Sequence, residues 1–399
     1  MRTVNQYFIS TGKSTPEFIS VWNTNIGGGE TPSNSLRLPL EPGTLATQYN
    51  FTVDWGDGTS NVITSATDPA LVHVYATGGI YTLRIRGIIQ GFKPNASLDR
   101  VKLLEIQNWG PCTISVSDMF RQCTNMNITA TDIPLITTNN IQGMFRLCPN
   151  FVFNSSINNW DVSGVTSPSG GTSNNSNGMF RDANLFNQPL NNWNTSNFTN
   201  LSNMFTNTQF NQPLNNWNVG NVTDFNGCFS FSPFNQNINS WNVASGLRFN
   251  NMFDGATQFN QPLNNWNMSN ALNVSGMFRS ATNFNQPLNN WNTVNIQFFG
   301  DANNTNGNGM LRAATAFNQD LTSWSFANAT QMGSFMLNKT PLNYTVTNLD
   351  PIYQRMALTA TRTGVFLNMG TLRYTTAGQV HRNHLTSVLG WTIIDGGLI

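Results

Sequence analysis

Side chains able to do chemistry are few in this sequence, and their spacing rarely brings two together. Asp57 lies in the turn segment Trp55-Gly56-Asp57-Gly58 and His73 follows it, and a carboxylate–imidazole pair there could serve a metal or a proton transfer. His381 and His384 lie about one helical turn apart, but no glutamate completes an H-E-x-x-H zinc motif, so a surface helix face is expected. Cys112, Cys123, Cys148 and Cys228 form no C-x-x-C pair and have no zinc spacing. A glycosidase needs two carboxylates facing each other across a cleft. Acidic residues are sparse through the middle of the chain and no Asp/Glu pair recurs in register. The expectation is a non-enzymatic protein with no catalytic residues, no metal ligands and no cofactor.

What recurs instead is a phrase. FNQPLNNWN stands at 186–194, 210–218, 259–267 and 284–292, with degenerate copies FNQNINSWN at 234–242, FNQDLTSWS at 317–325 and FNSSINNWD at 153–161. Its tryptophans, Trp160, Trp193, Trp217, Trp241, Trp266, Trp291 and Trp324, are separated by 33, 24, 24, 25, 25 and 33 residues. A second phrase, usually Met-Phe, falls once per repeat. The base period of 24–25 lies inside the leucine-rich-repeat range of roughly 20–29. In 213–229, Leu214, Trp217 and Val219 give L-x-x-W-x-V, close to L-x-x-L-x-L, and Trp217 and Val219 would share a strand face. Val222, Phe225, Cys228 and Phe229 recur at three- to four-residue steps, which predicts a short helix. One strand and one helix per repeat cannot bury an apolar face alone, so neighbours must stack.

Stacking turns equivalent positions into ladders. Phe186, Phe210, Phe234, Phe259, Phe284 and Phe317 make one column, and the tryptophans a second. Asn187, Asn211, Asn235, Asn260, Asn285 and Asn318 make a third, where an amide can satisfy backbone groups at the turn and its neighbours above and below. Asparagines that alternate with the Trp, Asn216, Asn218, Asn265 and Asn267 among them, should point outward: a solvated polar face, or a flat amide surface for a sugar or a protein. Cys123 and Cys148 follow the repeat's Met by four residues, where other repeats carry Ala183, Ala256, Ala281 and Ala314. A small buried thiol is expected, with a disulfide between adjacent repeats as the rival.

Two repeats carry insertions, at 163–177 and 301–309. Both interrupt the repeat between strand and helix, so both should emerge on one face, often the binding face of a repeat protein. Candidate ligand-binding residues are therefore Ser167, Ser169, Asn174, Asn175, Asp301, Asn303 and Asn304, with Asn216, Asn218, Asn265 and Asn267. The rival is a pair of tolerated surface loops.

Residues 16–95 differ in pattern. Phe51, Val53 and Trp55 alternate before a Gly-Asp-Gly turn, and Tyr81, Leu83 and Ile85 alternate again. WGDG followed by His73, Tyr75, Gly79 and Tyr81 resembles PKD-type immunoglobulin-like β-sandwich domains, a resemblance implying turn and packing roles for Asp57 and His73. The repeats, with LLEIQNWG at 103–110, TNMNITATDIP at 124–134 and a tail from RYTTAGQV at 373–380 to GWTIIDGG at 390–397, resemble the BspA-like leucine-rich-repeat surface proteins. That resemblance implies adhesion and binding at a bacterial or viral surface, without catalytic residues.

The expected fold is mixed α/β: an N-terminal arm over 1–15, a β-sandwich over 16–95, a leucine-rich-repeat-like right-handed solenoid over 96–345, and a capping unit over 346–399. Only 9% of residues are charged and the formal net charge is +1, which gives no electrostatic reason to expect nucleic acid as partner. No segment approaches the roughly 18 apolar residues of a membrane helix, and the first twenty residues lack the apolar stretch of a secretory signal. The expected function is display with adhesion or receptor binding on a phage virion, as a decoration, fibre or tail protein. The alternative is an exported bacterial adhesin or glycan-binding protein at the cell surface. Expected partners are other virion or surface proteins, through the arm and sandwich, and a host glycan or protein receptor, with no membrane insertion.

Overall fold

A computed structural model describes residues 16–42, 48–170, 177–303 and 307–399. The N-terminal arm, and with it the expectation that it anchors the protein, lies outside these residues. The chain packs as two compact units, one of Met1–Pro168 with Met179–Trp193, the other of Ser169–Gly178 with Asn194–Ile399.

In the first unit the strands are β1 Phe18–Asn23, β2 Ser35–Arg37, β3 Tyr49–Asp54, β4 Ser60–Ile63, β5 Val72–Val74, β6 Ile80–Gln90, β7 Leu103–Asn108, β8 Cys112–Ile114, β9 Asn127–Ile128 and β10 Leu135–Ile136. Alternation drives them: β3 buries Tyr49, Phe51 and Val53 and exposes Asn50 and Thr52. The expected β-sandwich is corrected to one eight-stranded sheet, ordered β10-β8-β6-β1-β7-β9, with β3 on β6 and β4 on β3; only β2 and β5 pair apart from it. β1 hydrogen-bonds antiparallel to β6 on one side and β7 on the other, so strands from residues 103 onward complete the sheet begun by residues 18–90. A buried ion pair pins the loop after β1. Asp99 accepts from Thr31 N, Thr31 Oγ1 and Arg37 N, and Lys102 Nζ donates to Thr31 O, Pro32 O and Ser35 O, with Nζ 3.3 Å from Asp99 Oδ1.

The second unit stacks its repeats without the expected helices or Trp-centred strands. Around the Met-Phe phrase, Leu201, Asn203, Phe205 and Asn207 donate their N–H groups to Asp224, Asn226, Cys228 and Ser230 of the next repeat, at 2.8–2.9 Å. Phe225, Gly227, Phe229 and Phe231 donate to Arg248, Asn250, Met252 and Asp254 in turn. An α-helix would spend these groups on its own i−4 carbonyls. The backbone also turns left-handed twice per repeat, at Asn203 and Asn207, Gly227 and Phe231, Asn251 and Gly255, Gly276 and Ser280. Such residues, four apart, break a right-handed helix. Among the described residues, the parallel bridges between these repeats are single-residue ones, running Asn200, Asp224, Arg248, Asn273, Phe298 and Gln331. The mixed α/β, right-handed leucine-rich-repeat-like solenoid is therefore corrected: turns and isolated bridges replace both the strand and the helix. The described α-helices, α1 Val346–Thr359 and α2 Thr376–Ser387, lie after the repeats, with β11 Phe366–Asn368 parallel to β12 Thr392–Ile394. Met332 bridges to Leu367, so the bridging column passes into this C-terminal segment.

Lys339 takes the place of the small Ala314 of the preceding repeat. It is fully buried, donates to Ala314 O at 2.6 Å and lies 5.6 Å from the Tyr344 ring centre. Burial brings its pKa down from 10.5 to about 7. Between those values the unfolded chain holds a proton that the folded one lacks, so stability should rise with pH by up to about 1.4 kcal/mol per pH unit and level off below about 7. Urea unfolding of wild type and Lys339→Met across this window should show the slope in the first and its loss in the second; equal slopes would contradict it.

Candidate functional site

The ladders come first, because they set what remains for a ligand. Within the second unit Phe210 stacks on Phe234 at 6.2 Å, Phe234 on Phe259 at 6.4 Å, Phe259 on Phe284 at 5.8 Å and Phe284 on Phe317 at 5.9 Å. In the first unit Phe186 stacks on Phe151 at 6.1 Å. Trp217 lies parallel to Trp241, and Trp266, Trp291 and Trp324 form a parallel run. Each indole also donates to the repeat before it: Trp241 to Leu214 O, Trp266 to Ile238 O, Trp291 to Leu263 O and Trp324 to Leu288 O, at 2.9–3.0 Å. In the first unit Trp193 donates to Ile157 O at 2.7 Å, and Trp160 packs edge-on to Trp109. Asn211, Asn235, Asn260 and Asn285 each accept, through Oδ1, the backbone N–H of Asn235, Asn260, Asn285 and Asn318 in the following repeat, at 2.9–3.0 Å. Asn318 passes the same bond to Thr345 N. Asn187 is half-buried in the first unit.

The outward asparagines divide by role. Asn218 and Asn267 are exposed, yet each Oδ1 accepts from a backbone N–H two residues on, at Gly220 and Ser269, so these amides shape their own turn. Asn216 and Asn265 are exposed beside the Trp, and the Asn265 N–H donates to Asn239 Oδ1. Ser167 bridges in parallel to Asn140, Ser169 is fully buried, and Asp301 is buried and bridged to Gly333. Asn303 is exposed, while Asn174, Asn175 and Asn304 lie outside the described residues.

Sequence reasoning passed over two hollows. One, of about 490 Å³ in the second unit, is lined by Pro213, Asn215, Gln236, Asn237, Asn239, Ser240 and Asn265. The other, of about 500 Å³ in the first unit, lies among Asn127, Ile128, Thr129, Asn154, Ser155 and Ser156 and their neighbours. Neither has an ionisable side chain in its lining. The overlooked signal was the fourth position of the repeated phrase, proline at 189, 213, 262 and 287 but Asn237 and Ser156 in these two repeats, with Asp320 in a third.

The repeat register now has a counterpart among known proteins. Residues 114–233, 221–306 and 295–349 each match the family DUF285, described as a Mycoplasma protein of unknown function, and together cover more than half of the chain. The chain belongs to this family. No curated protein and no solved structure matches it. The DUF285 segments take in the Trp, Phe and Asn ladders and both hollows.

Asp57 and His73 do meet. His73 Nε2 is 2.7 Å from Asp57 Oδ2, its ring is stacked on Trp55 at 4.6 Å, and Asp57 also accepts from Thr59 N and Thr59 Oγ1. Burial opposes ionisation of Asp57, but the bonds from Thr59 and His73 prevail and hold its pKa below the usual value. The pair closes the turn between β3 and β4 onto β5. His381 and His384 sit on α2, the first half-buried and the second exposed.

All four cysteines are buried and unbridged. Burial pushes the Cys148 thiol up to about 12 and Cys123 well above its ordinary value. Alkylation at neutral pH should therefore leave the native protein unmodified and add one group to each of the four cysteines after denaturation without reductant. Mass spectrometry showing fewer additions would establish a bridge.

Proposed function

We propose that this is a non-enzymatic display protein that binds a receptor or glycan through the exposed amides of its repeats, carried on a phage virion as a decoration, fibre or tail component. The observation that supports this most is the register of exposed asparagines on either side of the Trp column, Asn216, Asn218, Asn242, Asn265, Asn267, Asn290 and Asn292. Their repeats are held by side-chain and backbone bonds from one to the next, so the amides are presented on a rigid, repeated support, which lowers the ordering cost of binding. A second reading, an exported bacterial surface adhesin, is favoured by the family's description as a Mycoplasma protein and by the resemblance to BspA-like surface proteins. Host attachment by the purified full chain tests the shared claim; failure to attach to any cell surface would remove it. Mass spectrometry of purified particles and of proteins shaved from intact cells by protease then separates the two settings.

A further inference from the structure

We infer that two of the three repeats whose phrase lacks proline hold ligand, and that the hollows at Asn237 and at Ser156 are each a site for a neutral oligosaccharide. This rests on the binding function proposed above and names its ligand class and its residues.

The phrase departs from proline at its fourth position where these two hollows lie, with uncharged side chains there, whereas the third departure carries the charged Asp320. A proline ring stands at Pro213, Pro262 and Pro287 in neighbouring repeats of the second unit. At Asn237 a flexible amide replaces the ring, and its Oδ1 turns inward to accept from Asn239 N at 2.9 Å. In the first unit Ser156 makes the same substitution, and its Oγ turns back to donate to Ala130 O at 3.0 Å. In both places the replacing side chain is held against the protein's own backbone and a concave space of about 490 or 500 Å³ lies beside it. That is within the size of small-molecule sites, roughly 300–1,000 Å³.

The lining selects the chemistry. With no ionisable group, neither hollow can compensate the desolvation of a carboxylate, phosphate or ammonium. Amides and hydroxyls both donate and accept, as sugar hydroxyls do. In the second-unit hollow the amides are already oriented. Gln236 Nε2 donates to Asn211 Oδ1 at 3.0 Å, and Asn239 Oδ1 accepts from Asn265 N at 3.0 Å. Among the described residues, Asn237 Nδ2, Asn239 Nδ2 and Ser240 Oγ make no bond within the protein. The two amides are oriented by their Oδ1 bonds and keep their donors to spare. Pro213, exposed at the second-unit hollow, supplies an apolar surface for the C–H face of a sugar ring. The insertions that sequence reasoning favoured supply neither hollow.

The test restores the family phrase. Asn237→Pro and Ser156→Pro place in each hollow the ring that sister repeats already carry; at Ser156 this gives up the N–H bond to Asn154 Oδ1, so the melting temperature is followed alongside binding. The full chain, wild type and double variant, is probed with an array of neutral oligosaccharides of glucose, galactose, mannose and N-acetylglucosamine at roughly millimolar concentration. Wild type should retain at least one of them, and the double variant should bind it at least about tenfold more weakly with an unchanged melting temperature. Gln354→Ala, an exposed amide on α1 outside both linings, serves as the control and should bind like wild type. If the double variant unfolds, Asn239→Ala and Ser240→Ala replace it and carry the same expectation. Retention of no neutral sugar by wild type, or equal binding by wild type and a folded variant, overturns the inference. Attachment to host cells in either of those cases leaves the display function standing with a different ligand; no attachment removes both.

Discussion

Trp266→Ala should lower the folding free energy by about 3–5 kcal/mol, among the largest losses a single substitution in the repeats can cause. Trp266 is 1% exposed, lies parallel to Trp291 at 6.5 Å, and donates its indole N–H to Ile238 O. Alanine removes the ring, leaves a cavity between two repeats and leaves a buried carbonyl without its donor. Trp266→Phe separates these contributions, since it keeps an aromatic ring but drops the N–H, and should cost about 1–3 kcal/mol. Urea titration followed by tryptophan fluorescence measures both. A Trp266→Ala loss under about 1 kcal/mol would mean that the repeats do not cohere through this column.

A comparable loss, about 3–5 kcal/mol, is expected from Asp99→Ala in the first unit. Its side chain is fully buried, and its carboxylate is the anionic partner of Lys102, itself 1% exposed. Removing it strands a buried ammonium and frees the Thr31 and Arg37 N–H groups at once. The double change Asp99→Ala with Lys102→Met should recover a good part of the loss, because the stranded charge goes with it. If the double variant were as unstable as the sum of its singles, the pair would be two independent anchors and not one coupled unit.

Much of the repeat could be read without coordinates. A period of 24–25, a Phe, a Trp and an Asn at constant offsets, and an alanine or cysteine four residues after Met state which side chains must meet, because equivalent positions of stacked repeats are neighbours whatever path the backbone takes. The Asn column was legible in the same way, since an amide beside buried phenylalanines has to bond backbone. The candidate site was less legible. Ser167, Ser169 and Asp301 read as loop residues because they sit in insertions, yet bridges to Asn140 and Gly333 and the burial of Ser169 take them into the packed structure. Asn218 and Asn267 read as free amides, but the turn two residues on claims their oxygens.

By itself, then, the sequence determined the period, the columns, and the residues that each column buries, since these depend only on composition and spacing. The path between the columns was decided by tertiary structure. Apolar residues three and four apart at Val222, Phe225, Cys228 and Phe229 fit a helix, and equally fit a chain of turns whose alternate N–H groups reach the next repeat. Side-chain periodicity is the same in both, so the choice falls to the backbone hydrogen bonds, which a neighbouring repeat can accept only once it is stacked in place. The left-handed residues that permit those turns include Phe231 and Ser280, types that do not announce such a conformation in a sequence. The sheet of the first unit follows the same logic: β7 to β10 look like the start of the repeats, and only the free edges of β1 and β6 draw them into the sheet.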